Sequence, residues 1–297
     1  MVALLGLNDL HTCSNACCNR PAPIYLRLGT GGVITATQPR SLRDTVDVTV
    51  LSSSVEGAAH QFAASYVVNG SLVIDAGSIG FAGLDRQKAV RSVLISHAHL
   101  DHVASLPIFI DNVYQPGPHC PTVYASQHVV DNLMAHFFND VVWPDMIRLS
   151  GEESPFLRFV VLEDGKPVDI DGMTVTPIAL NHVIPTFGFI VDDGETAVAF
   201  ISDTAQTETI WEYVRNTPRV KAVILEAAFP NSMRWLAEKA KHLTPSLFLE
   251  EYSKAGRSIP VVAVHIKPAF YSAVVSELKD LNLDTLTISQ PNQTYSF

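Results

Sequence analysis

The sequence predicts an α/β (α+β mixed) protein of four layers, αββα, with two mixed sheets packed face to face and helices outside. Short β-rich runs alternate with stretches of helical period along the chain, and hairpin-like strand runs open each half. No short fixed period recurs, which excludes a solenoid.

The 297 residues with 47% hydrophobic content suffice for a large core. Residues 1–45 read as a leader, disordered or extraneous to the folded protein, because Pro21, Pro23, Gly29, Gly31, Gly32 and Pro39 break regular structure there. Residues 46–297 form the expected single domain. It opens as a meander, with strands at 46–51, 64–68 and 72–74 and a hairpin signal at Asn69-Gly70. A buried strand at 90–95 leads into a polar cluster and then a helix at 103–114 interrupted by Pro107. A strand at 122–125 and a helix at 127–139 follow. The second half carries strands at 159–162, 173–180, 187–191, 197–202, 222–225 and 261–264, and helices near 207–215, 232–241 and 245–255.

Charge and hydropathy exclude several classes of function. A net charge of −10 with no run of Lys or Arg disfavours a stable nucleic-acid partner, since such binding depends on clustered cations. No apolar run reaches the roughly 18 residues of a membrane helix, and the first residues lack the basic flank of a secretory signal. A cytoplasmic protein without membrane attachment is expected. Cys13, Cys17, Cys18 and Cys120 are too unevenly placed for a disulfide framework. Whether subunits pair as a homodimer stays open.

The chemistry lies where strands end. His97 and His99 follow the strand at 90–95 with a spacing of two, which in extended backbone turns both imidazoles to one side. Asp101 and His102 fall at the turn into the next helix and diverge from that pair. His182, Asp203 and His265 each end a later strand. Imidazole with carboxylate is the ligand set of zinc or manganese. Assigning His97, His99 and His182 to one ion, Asp101, His102 and His265 to a second, and Asp203 to both gives two similar half-sites. Two divalent ions, zinc first with manganese or iron as alternatives, are therefore expected. His242 lies in a break between helices, with Thr244 as an N-cap, and is placed to give a proton to a leaving oxygen. With Asp101 it is the candidate catalytic group.

The segment HAHLDH at 97–102 resembles the HxHxDH signature of the metallo-β-lactamase superfamily, and His182, Asp203 and His265 stand in the order of its remaining ligands. More narrowly, AHFFNDVVWPD at 135–145, SDT at 202–204, LEAAFPN at 225–231, HLTP at 242–245 and HIKP at 265–268 resemble the class II cyclic-nucleotide phosphodiesterases. Two departures are Ala205 after Thr204 and Ser105 in the helix after the cluster, where glycine is common; neither removes a ligand.

The resemblance implies hydrolysis of 3',5'-cyclic AMP or GMP to nucleoside 5'-monophosphates by a metal-bridging hydroxide, with a small cyclic nucleotide as the partner molecule. His136, Asn139 and Trp143 are candidate pocket residues. Asp75 is a candidate support for a ligand imidazole, and Glu226 for His242. The rival readings are a transfer-RNA 3'-end processing nuclease and a lactonase or thioesterase of the same fold. A module that binds a cyclic nucleotide without cleaving it is the third. The nuclease normally carries a basic arm of which this sequence shows no trace, and the lactonase or thioesterase would not call for the 135–145 and 265–268 stretches.

Overall fold

The computed structural model describes residues 45–52, 60–151 and 153–297. The reading of a leader at residues 1–44 lies outside them. The chain opens with β1 (Asp47–Val50), β2 (Tyr66–Val68) and β3 (Leu72–Ile74), an antiparallel meander in which Asn69 and Gly70 both take the left-handed conformation of a tight hairpin turn. Then α1 (Leu84–Ala89) leads to β4 (Ser92–Ile95), parallel to β3.

After β4 come α2 (Leu100–Val103) and α3 (Leu106–Val113). Pro107 does not interrupt a helix; it lies in the first turn of α3, where a missing N–H costs nothing. Next are β5 (Thr122–Ala125), α4 (Gln127–His136), the short α5 (Met146–Leu149) and β6 (Arg158–Val161). The strand at 159–162, read from sequence as part of the second half, belongs to the first sheet: α4 crosses over and lays β6 parallel beside β5.

The second sheet begins with a short strand that sequence reading missed, β7 (Val168–Ile170), paired antiparallel with β8 (Met173–Ala179), then β9 (Phe187–Asp192) and β10 (Ala197–Ile201). Helix α6 (Thr209–Asn216) crosses to β11 (Val220–Glu226); α7 (Arg234–Ala240) and α8 (Pro245–Ser253) cross to β12 (Val261–Val264). Helix α9 (Tyr271–Asp280), β13 (Leu286–Ile288) and β14 (Thr294–Ser296) complete the chain. The strand order is β14-β1-β2-β3-β4-β5-β6 in one sheet and β13-β12-β11-β10-β9-β8-β7 in the other, so β14 returns to the first sheet.

Alternation along the strands builds the layers. On β4, Leu94 faces the inter-sheet core, while Val93 and Ile95 face Val103, Leu106, Phe109, Val129 and Leu133 of the helices. On β11, Ala222 and Ile224 join Leu94 between the sheets, and Val223 and Leu225 pack on Ile210, Trp211, Leu247 and Phe248. Helices thus cover both outer faces, and the expected αββα sandwich is the fold.

Topology decides where the polar residues meet. Parallel strands β3, β4, β10, β11 and β12 point their carboxyl ends to one edge of their sheets, and β8, two antiparallel steps from β10, points the same way. Asp75, His97, His182, Asp203 and His265 follow β3, β4, β8, β10 and β12 within three residues, and Glu226 ends β11. Open α/β sheets carry their sites at such edges.

The loop after β3 is sewn to the cluster. Ala76 N donates to His102 O (2.7 Å), and Ala64 N donates to Asp101 O (2.8 Å). Ser105 Oγ donates to Ala76 O (2.8 Å) and accepts from Gly80 N (2.9 Å), so the serine found in place of glycine adds a strap to this loop. Gly77 has no room for a side chain: a Cβ would collide with Asp101 O and sit 2.8 Å from Ala64 N and O, all backbone. Gly77→Ala is expected to cost about 3 kcal/mol of stability. Urea unfolding of the two proteins measures it, and an unchanged midpoint would show that the loop has slack.

Candidate metal centre

His97 and His99 leave β4 as extended chain, and His99 N-caps α2, which then presents Asp101 and His102 from its first turn. Three ring nitrogens converge: His97 Nε2 and His182 Nε2 lie 3.0 and 3.3 Å from His99 Nδ1. Asp203 joins this group, with Oδ2 at 3.7 Å from His97 Nε2. On its other side Asp203 Oδ2 is 3.4 Å from His102 Nε2 and 3.3 Å from His265 Nε2, and His265 Nε2 is 3.7 Å from Asp101 Oδ2. The structure brings His97, His99 and His182 together, and likewise Asp101, His102 and His265, with Asp203 facing both.

The hydrogen bonds behind the cluster determine which nitrogens carry protons. Asp75 Oδ2 accepts from His102 Nδ1 (2.7 Å) and from Ser96 Oγ (2.9 Å), while Oδ1 accepts from Ser96 N (2.8 Å). Ser96 has thereby given its one proton to Asp75, so His97 Nδ1, 2.9 Å away, is the donor to Ser96 Oγ. Ser202 Oγ adds a second bond to Ser96 Oγ (3.1 Å). His182 Nδ1 donates to Lys241 O (2.9 Å). In neutral rings, each of these bonds leaves Nε2 as a bare lone pair aimed into the cluster.

Such an arrangement needs a cation. His99 Nδ1 carries at most one proton and cannot satisfy both His97 Nε2 and His182 Nε2. His102 Nε2 and Asp203 Oδ1 are buried with no hydrogen-bond partner among the described residues. Unpartnered buried imidazole and carboxylate atoms are what a divalent ion would take up, displacing the proton from His102 Nε2, and the residues fit it.

The electrostatics follow the same division. Burial, reinforced at His97 by the neighbouring His102 ring, holds His97 well below the usual histidine range, and burial also lowers His99 and His182. The first group is therefore three neutral imidazoles, the form that ligates. Around Asp203 burial is outweighed: His265 and His102 hold its carboxyl well below the usual range, and Asp203 and Asp75 lift His102 well above the histidine value against its own burial. Asp101 is likewise held low, its burial outweighed by His102, His265 and Lys267.

His242 sits beside both groups. Its Nδ1 donates to Glu226 Oε1 (2.9 Å), and Glu226 also accepts from Thr204 N (2.9 Å) and Leu243 N (3.3 Å). Burial opposes its charge, but Glu226 raises its pKa above the usual value. Nδ1 lies 3.9 Å from Asp203 Oδ2, so His242 is also within reach of a cation shared by Asp203 and His265. Between the sheets behind the cluster is a cavity of about 20 Å³ lined by Tyr66, Asp75, His102, Asp203, Glu226 and His265.

The loop from which the nucleotide pocket was expected behaves differently. Asn139 is a turn former: Oδ1 accepts from Val141 N (3.0 Å) and Val142 N (2.9 Å), and Nδ2 donates to Ala135 O (3.0 Å). His136 is exposed at the end of α4, and Trp143 packs on the core beneath the first sheet's helices. No hydrogen bond or ring contact joins these three to the histidine cluster among the described residues.

Residues to which sequence reading gave no role are Ser96, Ser202, Lys267, Leu100 and Val183. Ser96 and Ser202 each immediately precede a ligand. Leu100 and Val183 each follow one and are 65% and 48% exposed, an apolar rim next to the first group. Lys267 follows His265 by two, the spacing that suggested pairing His97 with His99.

Fold and site together define a protein of the metallo-β-lactamase type. The family model described as "Beta-lactamase superfamily domain" matches residues 74–266, from the end of β3 to just past His265, and the chain belongs to that family. A Yersinia pestis protein named "Probable 3',5'-cyclic-nucleotide phosphodiesterase" is 27% identical over 239 residues, 69% of this chain and 67% of its own. The 3',5'-cyclic-nucleotide phosphodiesterase 1 of Saccharomyces cerevisiae is 26% identical over 61% of this chain, which spans little more than half (57%) of that relative. The unliganded structure of yeast PDE1 superposes with a TM-score of 0.70 at 17% identity, covering 84% of this chain and 99% of that one. A short-form human tRNase Z has a TM-score of 0.57 at 17% identity over 84% and 98%. At these identities the structural likenesses show the fold alone.

Because Asp75 fixes His102 directly and His97 through Ser96, Asp75→Asn is expected to weaken metal retention in both groups about ten- to a hundredfold. Counting ions that survive dialysis against a chelator measures this, and wild-type retention would make Asp75 a loop residue only.

Proposed function

We propose that the chain is a metal-dependent phosphodiesterase that hydrolyses 3',5'-cyclic nucleotides to nucleoside 5'-monophosphates. The observation that carries this reading is a proton-bearing imidazole, His242, held by Glu226 beside a cluster with ligands for two ions. The printed names of the Yersinia and Saccharomyces relatives support the substrate class.

His97, His99 and His182 would hold one ion, Asp101, His102 and His265 the other, and Asp203 would face both. Zinc suits the all-imidazole group, and manganese or iron also suits the group that contains carboxylate. When bound, the ions supply an activated water and offset charge on the phosphoryl oxygens. The leaving 3' oxygen needs a proton, and Glu226, by occupying Nδ1, leaves Nε2 of His242 as the atom that passes it. Leu100 and Val183, each next in sequence to a candidate ligand and well exposed, would offer apolar surface to the base.

The transfer-RNA nuclease reading is disfavoured by the net charge of −10, which repels a polyanion. Incubating the zinc- or manganese-restored protein with cyclic AMP, cyclic GMP, a precursor transfer RNA and an acyl lactone separates the readings. Nucleoside 5'-monophosphate is the expected product, and consumption of only the RNA or the lactone would sink the proposal. His242→Ala is expected to keep both ions and lose about a hundred- to ten-thousandfold in turnover. Loss of an ion in that variant would make His242 a ligand instead.

A further inference from the structure

Lys267 is the one cation placed directly on the second ligand group among the described residues. Its Nζ lies 3.3 Å from His265 Nε2 and donates to Asp101 Oδ2 at 3.2 Å. Its backbone is held independently: Lys267 N donates to Ala228 O (3.2 Å), and Lys267 O accepts from Phe270 N (2.9 Å). The side chain is one-third exposed, so the ammonium can swing away on its four-carbon stem without disturbing the strand end.

A neutral imidazole nitrogen has a single lone pair. His265 Nε2 can accept from the lysine or bind a metal ion, and cannot do both. Asp101 has lone pairs to spare, but an ammonium beside a divalent cation in a partly buried site is repelled by it. The first group, His97, His99 and His182, has no lysine ammonium on its ring nitrogens.

We propose that Lys267 is a displaceable internal cation that holds His265 and Asp101 in the metal-free protein and competes with the second metal ion for His265 Nε2. The proposal rests on the two-ion reading of the site. It makes the second ion bind more weakly than its ligand set alone would allow, while the first is indifferent to the lysine.

The test is a zinc titration of the metal-free full-length chain against a chromophoric chelator, with bound ions counted by mass spectrometry. It compares wild type with Lys267→Met, which keeps length and loses charge, and with Lys267→Gln. In both variants the second dissociation constant is expected to fall about ten- to a hundredfold, the loss of one charge-assisted hydrogen bond, with the first unchanged. If wild type takes two ions and the variants bind the second no more tightly, the proposal is overturned while the two-ion reading stands. An equal shift of both constants would also overturn it, as a through-space charge effect. If neither wild type nor variants take a second ion, both fail.

Discussion

Asp203 is a carboxylate withdrawn from water with imidazoles for neighbours. His265, His102, His97 and His242 lie 3.3, 3.4, 3.7 and 3.9 Å from its Oδ2, and its buried Oδ1 accepts no hydrogen bond among the described residues. An ionised carboxylate taken out of water is costly unless opposite charge is close at hand. The surrounding architecture answers that requirement. Two sheets end their parallel strands at one edge so that the rings can reach it, and Asp75 and Glu226 stand behind them and orient them. Without such supports the rings would rotate to satisfy their own nitrogens, and the lone pairs would no longer converge.

The supports use backbone conformations that ordinary residues avoid. Asp75, His265 and Lys241 all have positive φ, at 59°, 55° and 54°. Each turns the chain sharply where a strand or helix ends: Asp75 to receive Ser96 and His102, His265 to face Asp203, and Lys241 to offer its carbonyl to His182. Non-glycine residues in this region persist only where surrounding contacts over-determine them, and here hydrogen bonds do so. The apolar packing on both sides of the two sheets supplies the stability from which this strain is drawn.

The division between what could be read from sequence and what could not follows from the range of each interaction. The candidate ligands His97, His182, Asp203 and His265 are legible because each closely follows an apolar strand run, and Asp101 and His102 because they crowd directly behind His97 and His99. The layers were legible because alternation along β4 and β11 sorts residues between two cores. The placement of β6 was not, since a crossover helix can return a strand to either sheet and only packing decides. Helix α9 and strands β13 and β14 were missed: α9 fully buries only Val274 and Leu278, and each of the two strands is three residues long with none of them buried. Proton placement was out of reach altogether. It depends on Ser96 having spent its hydrogen on Asp75, a contact across 21 positions of sequence.

His97, His102 and His182 are each held by a hydrogen bond behind the ring as well as by their neighbours in the cluster. Leu100 and Val183 differ: each adjoins a candidate ligand in sequence, yet is 65% and 48% exposed, respectively. In this chain the rim next to the first group is apolar, and the only lysine ammonium on the cage's ligand atoms among the described residues is engaged by Asp101 and His265. A net charge of −10 likewise lacks the dispersed positive charge that a long polyanion requires.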